Sequence, residues 1–183
     1  MDKASATNDD LDRALVLRYL DGELAAGDEF VGRHLRRMFN VARRMLGNVQ
    51  DAEDVTQTAF GNAFAALGSY DPKYRFFSWI YRMTVNASLN TLERRRDMVS
   101  LDGKFDVPAA STSTESAAEA EDLVGRALLE LKPGDRAVVV LRHLETLSYE
   151  EIADALGVPV KTVKSRLFTA RQRLREVLLE GRA

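Results

Sequence analysis

Apolar residues in this chain return every third or fourth position and almost never every second, so helices are expected throughout. Val31, Leu35, Met38, Ala42 and Met45 form one such stripe and predict a helix over 28–46, stopped by Gly47 and Asn48. Val55, Ala59, Ala63 and Leu67 predict the next, over 51–67. Its first turn carries Asp51, Glu53 and Asp54, which suit the positive end of a helix dipole. An earlier helix is expected over 9–20 and a long fourth one over 75–96, after a loop at 68–74. Later helices are expected over 121–131 and 134–145. Between the halves, 98–120 holds the run VPAASTSTESAAEAE, which is rich in small residues, acidic and without an apolar stripe, and so reads as a flexible linker. The expected fold class is all-α: two small helical domains, 1–97 and 121–183, joined by the 98–120 linker.

The segment 147–175, LSYEEIADALGVPVKTVKSRLFTARQRLR, predicts a helix-turn-helix. Ser148 and Glu151 have capping-box spacing, so a helix starts at Tyr149. Ile152, Ala153 and Leu156 form its buried side, and Gly157 supplies the left-handed residue that ends it. Val158 turns the chain, and Pro159 suits the first position of a second helix. Val163, Leu167, Ala170 and Leu174 should face the core, leaving Lys161, Thr162, Lys164, Ser165, Phe168, Arg171 and Gln172 outside. A basic face opposite an apolar stripe is what a helix entering a DNA major groove presents. Phe168 either meets a thymine methyl there or packs on a neighbouring helix.

The fourth helix crowds Phe76, Phe77, Trp79, Tyr81 and Arg82 together and ends in Arg94, Arg95 and Arg96. Rings that stack on bases beside cations that hold phosphates make a single-stranded nucleic-acid surface. Phe76, Trp79, Ile80 and Met83 have core spacing; Phe77 and Tyr81 are the candidates for exposure. Asn86 falls near the Trp79 and Met83 side, where it either caps local backbone or faces a base pocket.

Composition narrows the chemistry. The 183 residues contain no Cys and only two His, His34 and His143, which removes disulfides, thiolate chemistry and most zinc sites; no cofactor or metal is expected. No nucleophile–base set is visible, so the chain is not expected to be an enzyme. It has no long apolar run and no signal pattern, so a cytoplasmic location without membrane insertion is expected. The net charge of −2 is unusual for a protein that holds duplex DNA alone, because phosphate neutralisation supplies most of such affinity. Another molecule should therefore contribute to the grip on DNA.

The runs RMLGN (44–48), DAEDVTQTAF (51–60), FFSWIYRMTVN (76–86) and the 147–174 segment resemble, in order and spacing, the extracytoplasmic-function (ECF) sigma factors. The resemblance covers nearly all of the chain apart from its N-terminal tip and the linker. It implies a promoter-specific transcription initiation factor that binds core RNA polymerase and takes part in regulated, stress-linked transcription. Asp51, Glu53, Asp54 and Gln57 would dock on the clamp helices of the β′ subunit. Tyr70, Lys73, Phe77, Tyr81, Arg82, Asn86, Arg94 and Arg95 would bind the −10 element, with Asn86 and the loop before the fourth helix holding a flipped base. The second domain would touch the β flap and read the −35 element through Lys161, Thr162, Lys164, Ser165, Phe168 and Arg171. The linker would run toward the RNA exit channel.

Some positions depart from the family pattern. The loop YDPKYR lacks the Gly–acid pair common in relatives, Thr169 replaces a frequent basic residue, and Asn90 stands where many members carry Asp. No regulatory C-terminal extension is expected, so control would come from a separate anti-sigma protein. Two other functions fit parts of the chain: a helix-turn-helix regulator that works without polymerase, and a sigma mimic that sequesters an anti-sigma factor. The aromatic and acidic helices weigh against the first, and the intact basic face against the second.

Overall fold

The computed structural model describes residues 3–70, 76–102 and 116–180, and all regular structure among them is helical. The elements are α1 (Lys3–Leu20), α2 (Leu24–Leu46), α3 (Val49–Ala66), a 3-10 turn (Leu67–Ser69), α4 (Phe76–Asp102), α5 (Ser116–Leu129), α6 (Pro133–His143), α7 (Tyr149–Leu156) and α8 (Val160–Glu180). Both ends of the expected linker are therefore helical: α4 continues to Asp102 and α5 begins at Ser116. Residues 103–115 lie outside the described residues.

Helices α1 to α4 form the first lobe. Leu15, Val16, Phe30, Met38, Phe60, Phe76 and Ile80 fill its core. Phe30 meets the rings of Phe60, Phe64 and Phe76 edge-on, at 6.1, 5.9 and 5.1 Å between centroids. Such edge-to-face pairs add about 0.5–1.5 kcal/mol beyond their buried area. The real stripe of α2 is Phe30, His34, Met38, Val41 and Met45. Val31 and Leu35, expected in it, sit one residue later and so about 100° round the helix; Val31 is half-buried and Leu35 exposed. Helix α2 ends as expected, with Gly47 in the left-handed region at φ 74° and its N–H bonded to Arg43 O at 2.8 Å. A Cβ on Gly47 would also meet Leu129 Cδ1 at 2.6 Å, so conformation and space both require glycine there.

Helices α5 to α8 form the second lobe, whose core is continuous with a second apolar cluster of the first lobe. Val41, Met45, Val55, Tyr81 and Val85 of the first lobe share one apolar cluster with Leu128, Leu131, Val138, Leu141, Ile152, Val163 and Leu167 of the second. The lobes are therefore packed, not merely tethered. Helix α6 lies on α2, and α7 lies on α4. Burying an aliphatic side chain at such a junction contributes roughly 1.5–3 kcal/mol.

Polar contacts also pin the junction. Arg136, 5% exposed, donates to Met45 O at the C-terminal end of α2, to Leu129 O at the end of α5 at 2.7 Å, and to Leu131 O just beyond it at 3.0 Å. Terminal helix carbonyls have no partner within the helix, so one guanidinium closes the ends of two helices. The Tyr81 hydroxyl donates to Glu145, and Arg82 donates to Asp154 O.

Candidate nucleic-acid interface

Local chemistry fixes the helix-turn-helix. Ser148 Oγ accepts from Glu151 N at 3.1 Å, and Glu151 Oε2 accepts from Ser148 N at 2.7 Å, which completes the expected capping box. Gly157 has φ 62° and bonds Ala153 O, ending α7. The Pro159 carbonyl accepts from Thr162 N at 2.8 Å and Val163 N at 3.2 Å. Pro159 therefore stands just before α8 rather than at its first position, where it offers the opening carbonyl.

Val163, Leu167 and Ala170 are buried and Leu174 is half-buried, as their spacing predicts. That fixes the rotation of α8 and turns Lys161, Lys164, Ser165, Phe168 and Arg171 to the outside, with Thr162 half-buried. Phe168 is 64% exposed, so it does not pack into a neighbouring helix here. Thr169 is exposed beside it. The Tyr149 ring supports this face from α7, with Arg142 Cζ at 5.1 Å and Lys164 Nζ at 5.9 Å from its centroid. His143 at the end of α6 is pushed below its ordinary pKa by burial, and then by Arg171 and Arg142. Its neutral form leaves the positive charge of the face to lysine and arginine.

The α4 surface is arranged differently from expectation. Phe76 and Ile80 are core, while Trp79 and Met83 are half-buried. Tyr81, expected to be exposed, is 1% exposed. It faces the second lobe, which covers it; burial, and then Glu145, push its pKa up. Arg82 is half-buried against α7, and Arg95 is paired with Asp51 at the start of α3. Asn86 and Arg94 are exposed, so Asn86 has no burial for a local cap to relieve. Tyr70 is half-buried, its ring 4.8 Å from that of Phe76 and 5.6 Å from that of Trp79. Lys73 and the Phe77 side chain lie outside the described residues.

On α3, Asn48 caps the helix by accepting from Asp51 N at 3.0 Å, and Glu53, Asp54 and Gln57 face outward. Beside them is an apolar groove of about 600 Å³, walled by Val31, Leu35, Phe39, Thr56 and Phe60 and rimmed by Arg36, Glu53 and Gln57. Sequence periodicity missed this groove because Val31 and Leu35 extend the arc of the core stripe. Their offset from Phe30 and His34 was the available signal.

A two-lobed helical protein with a supported basic helix on one lobe and an acidic helix beside an apolar groove on the other belongs to the DNA-binding proteins that also dock on a partner. Comparison with known proteins narrows the class. Residues 30–97 match the family Sigma-70 region 2, and residues 121–174 match Sigma-70, region 4. The ECF RNA polymerase sigma factor SigE of Mycolicibacterium smegmatis is 40% identical over 157 residues, spanning 82% of this chain and 61% of that protein. The RNA polymerase sigma-H factor of Pseudomonas aeruginosa is 32% identical over 91% of this chain and 93% of its own length. CnrH, solved in complex with the cytosolic domain of CnrY, superposes with a TM-score of 0.70 at 29% identity, covering 94% of this chain and 99% of CnrH. The sigma factor RpoE of Bartonella quintana, solved with the anti-sigma factor NepR, superposes with a TM-score of 0.71 at 25% identity, covering 82% of this chain and 95% of that one. The chain belongs to the ECF RNA polymerase sigma factors, which are transcription initiation factors and not enzymes. Among the described residues no helix is long and apolar enough to cross a membrane.

Proposed function

We propose that the chain directs core RNA polymerase to promoters through three separate surfaces, working in the cytoplasm where polymerase acts. The open face of α8 supports the −35 role: Lys161, Thr162, Lys164, Ser165, Phe168 and Arg171 share one side of a helix whose rotation is fixed by its buried stripe. This is the observation that carries the proposal. The outward Glu53, Asp54 and Gln57 beside the apolar groove support docking on the polymerase clamp; Asp51 contributes through its pairing with Arg95. Tyr70, Asn86 and Arg94 on the first lobe support capture of the −10 strand, a role the sequence resemblance also gives to Lys73 and Phe77. The division 1–97, 98–120 and 121–183 follows from these roles.

Tyr81 and Arg82 contribute only when the second lobe lifts from α4, since Glu145 and Asp154 now engage them. The packed state is therefore a form in which −10 capture is incomplete. Binding to polymerase would separate the lobes, and trapped bases would then lower the free energy of the melted promoter. CnrH and RpoE were solved with anti-sigma partners. Their likeness to this packed arrangement supports an anti-sigma factor as the regulator here.

The test is a pair of double variants assayed with purified core polymerase. K164A/F168A should lose −35-dependent binding while keeping polymerase affinity. D54A/Q57A should lose polymerase affinity while an isolated −35 duplex still binds. Equal loss of both functions in both variants would overturn the division of labour.

A further inference from the structure

Helix α1 precedes the region 2 match, which begins at residue 30, yet it reaches the surface assigned above to the −10 strand. Asp9 Oδ1 accepts from Phe76 N at 3.0 Å, the first residue of α4. A helix N-terminus has unpaired N–H groups, and here a carboxylate from another helix supplies the cap. One turn along α1, the Arg13 side chain is hydrogen-bonded to Tyr70, the residue that follows the 3-10 turn. Asp9 and Arg13 are joined to each other, Arg13 Nη2 lying 3.4 Å from Asp9 Oδ2. Asp9 is the more enclosed of the two, its side chain 13% exposed against 40% for Arg13.

One turn of α1 thus holds both ends of an aromatic cluster. Tyr70 lies edge-on to Phe76 with an interplanar angle of 78°, and Phe76 lies 5.2 Å from Trp79. Tyr70 and Trp79 are half-buried, so neither residue is fully enclosed by the fold. Phe76 cannot shift to accommodate them, because it is fully buried against Phe30. Arg13 therefore reaches the Tyr70 end of the cluster, and Asp9 the start of α4, three residues before Trp79.

We infer that Asp9 and Arg13 are positioning residues for −10 base selectivity, holding the Tyr70–Trp79 platform in the orientation that accepts an unpaired base; this rests on the −10 role proposed above. Neither residue need touch DNA. A stacking platform discriminates only if its rings are held in place, since stacking alone tolerates every base.

The experiment is run-off transcription by core polymerase and the full chain on a promoter panel carrying each single-base change in the −10 element. Polymerase affinity and binding to a −35 duplex are measured alongside. D9A should narrow the gap between matched and mismatched −10 elements by about fivefold, the size of a lost cap, and R13A should narrow it too, with polymerase and −35 affinities unchanged. Y70F keeps the ring and removes the hydroxyl that Arg13 holds, so it should reproduce R13A and add nothing to it in the double variant. D9N keeps an acceptor for Phe76 N and should recover part of the selectivity. Y70A separates the two levels of inference. If Y70A shifts −10 preference while D9A, R13A and Y70F keep the wild-type pattern, the positioning role is wrong and the −10 surface stands. If Y70A leaves the preference unchanged as well, the −10 assignment falls and takes the positioning role with it. Proportional loss at every promoter, matched by lost polymerase affinity, would mean that α1 only supports the fold and would overturn the inference.

Discussion

Arg136→Ala should separate the two lobes, and its size follows from the contacts of one guanidinium. Arg136 bonds Met45 O and Leu131 O in buried surroundings and Leu129 O in half-buried ones. Each carbonyl left without a partner costs roughly 1–3 kcal/mol. Removing the charge also relieves the cost of burying it. Burial pushes the Arg136 pKa down to about 10, partly offset by Glu130, which places that cost at about 3 kcal/mol. The carbonyl loss exceeds the relief, and a net destabilisation of about 3 kcal/mol remains. R136K should recover only a fraction, because an ammonium cannot span the ends of α2 and α5 together. Guanidinium-induced unfolding supplies the free energies, and fluorescence transfer between labels on α3 and α8 reports lobe separation. A change within about 0.5 kcal/mol, with the labels no further apart, would refute the view that Arg136 closes the junction.

Other perturbations probe the remaining contacts. Burial raises the Glu145 pKa above its ordinary 4.5, partly offset by the Tyr81 hydroxyl and Arg37. The folded state thus favours the protonated acid: the lobe contact should be tightest below pH 4.5 and should loosen as pH rises through the raised value. E145Q should remove this dependence, and transfer efficiency against pH will show whether it does. For Asp12, burial opposes the charged form, but His34 and Arg33 outweigh it and hold the pKa below 3.8. Its Oδ2 lies 3.1 Å from His34 Nε2, and its Oδ1 lies 2.9 Å from Arg33 Nε. Stability from Asp12 should be present above pH 3.8 and lost as pH falls through the depressed value; D12A should destabilise the chain at neutral pH in urea unfolding and cost less in acid. G47A forces alanine into the left-handed region against Leu129, so its melting temperature should fall; an unchanged value would show that both can relax. K164A should lower the salt dependence of −35 duplex binding by about one counterion in a titration from low to high salt.

The helices were legible because their periodicity, caps and turn residues agree. The capping box at Ser148 and Glu151, the left-handed Gly157 and the buried Val163–Leu167–Ala170 stripe all follow from local spacing, and together they fix the exposed face of α8. Contacts between distant segments were not legible. Tyr81 has helical spacing from Phe77, and nothing local shows that the second lobe will cover it. Arg136 sits in an apolar helix stretch where a lone arginine suggests solvent, yet the ends of α2 and α5 converge on it. Val31 and Leu35 continue an apolar arc and so read as core, although they line the groove beside α3. In each case the outcome depends on chain far away in sequence, and periodicity carries no information about it.

Run-off transcription with start-site mapping addresses the sigma function most directly. Purified core polymerase and the full chain are incubated with fragmented genomic DNA, and transcript 5′ ends are sequenced. The expected result is a discrete set of start sites preceded by two shared sequence elements. Loss of the upstream element's signal in K164A/F168A should accompany it. Start sites no different from core polymerase alone, while the chain still binds DNA fragments by itself, would contradict the assignment.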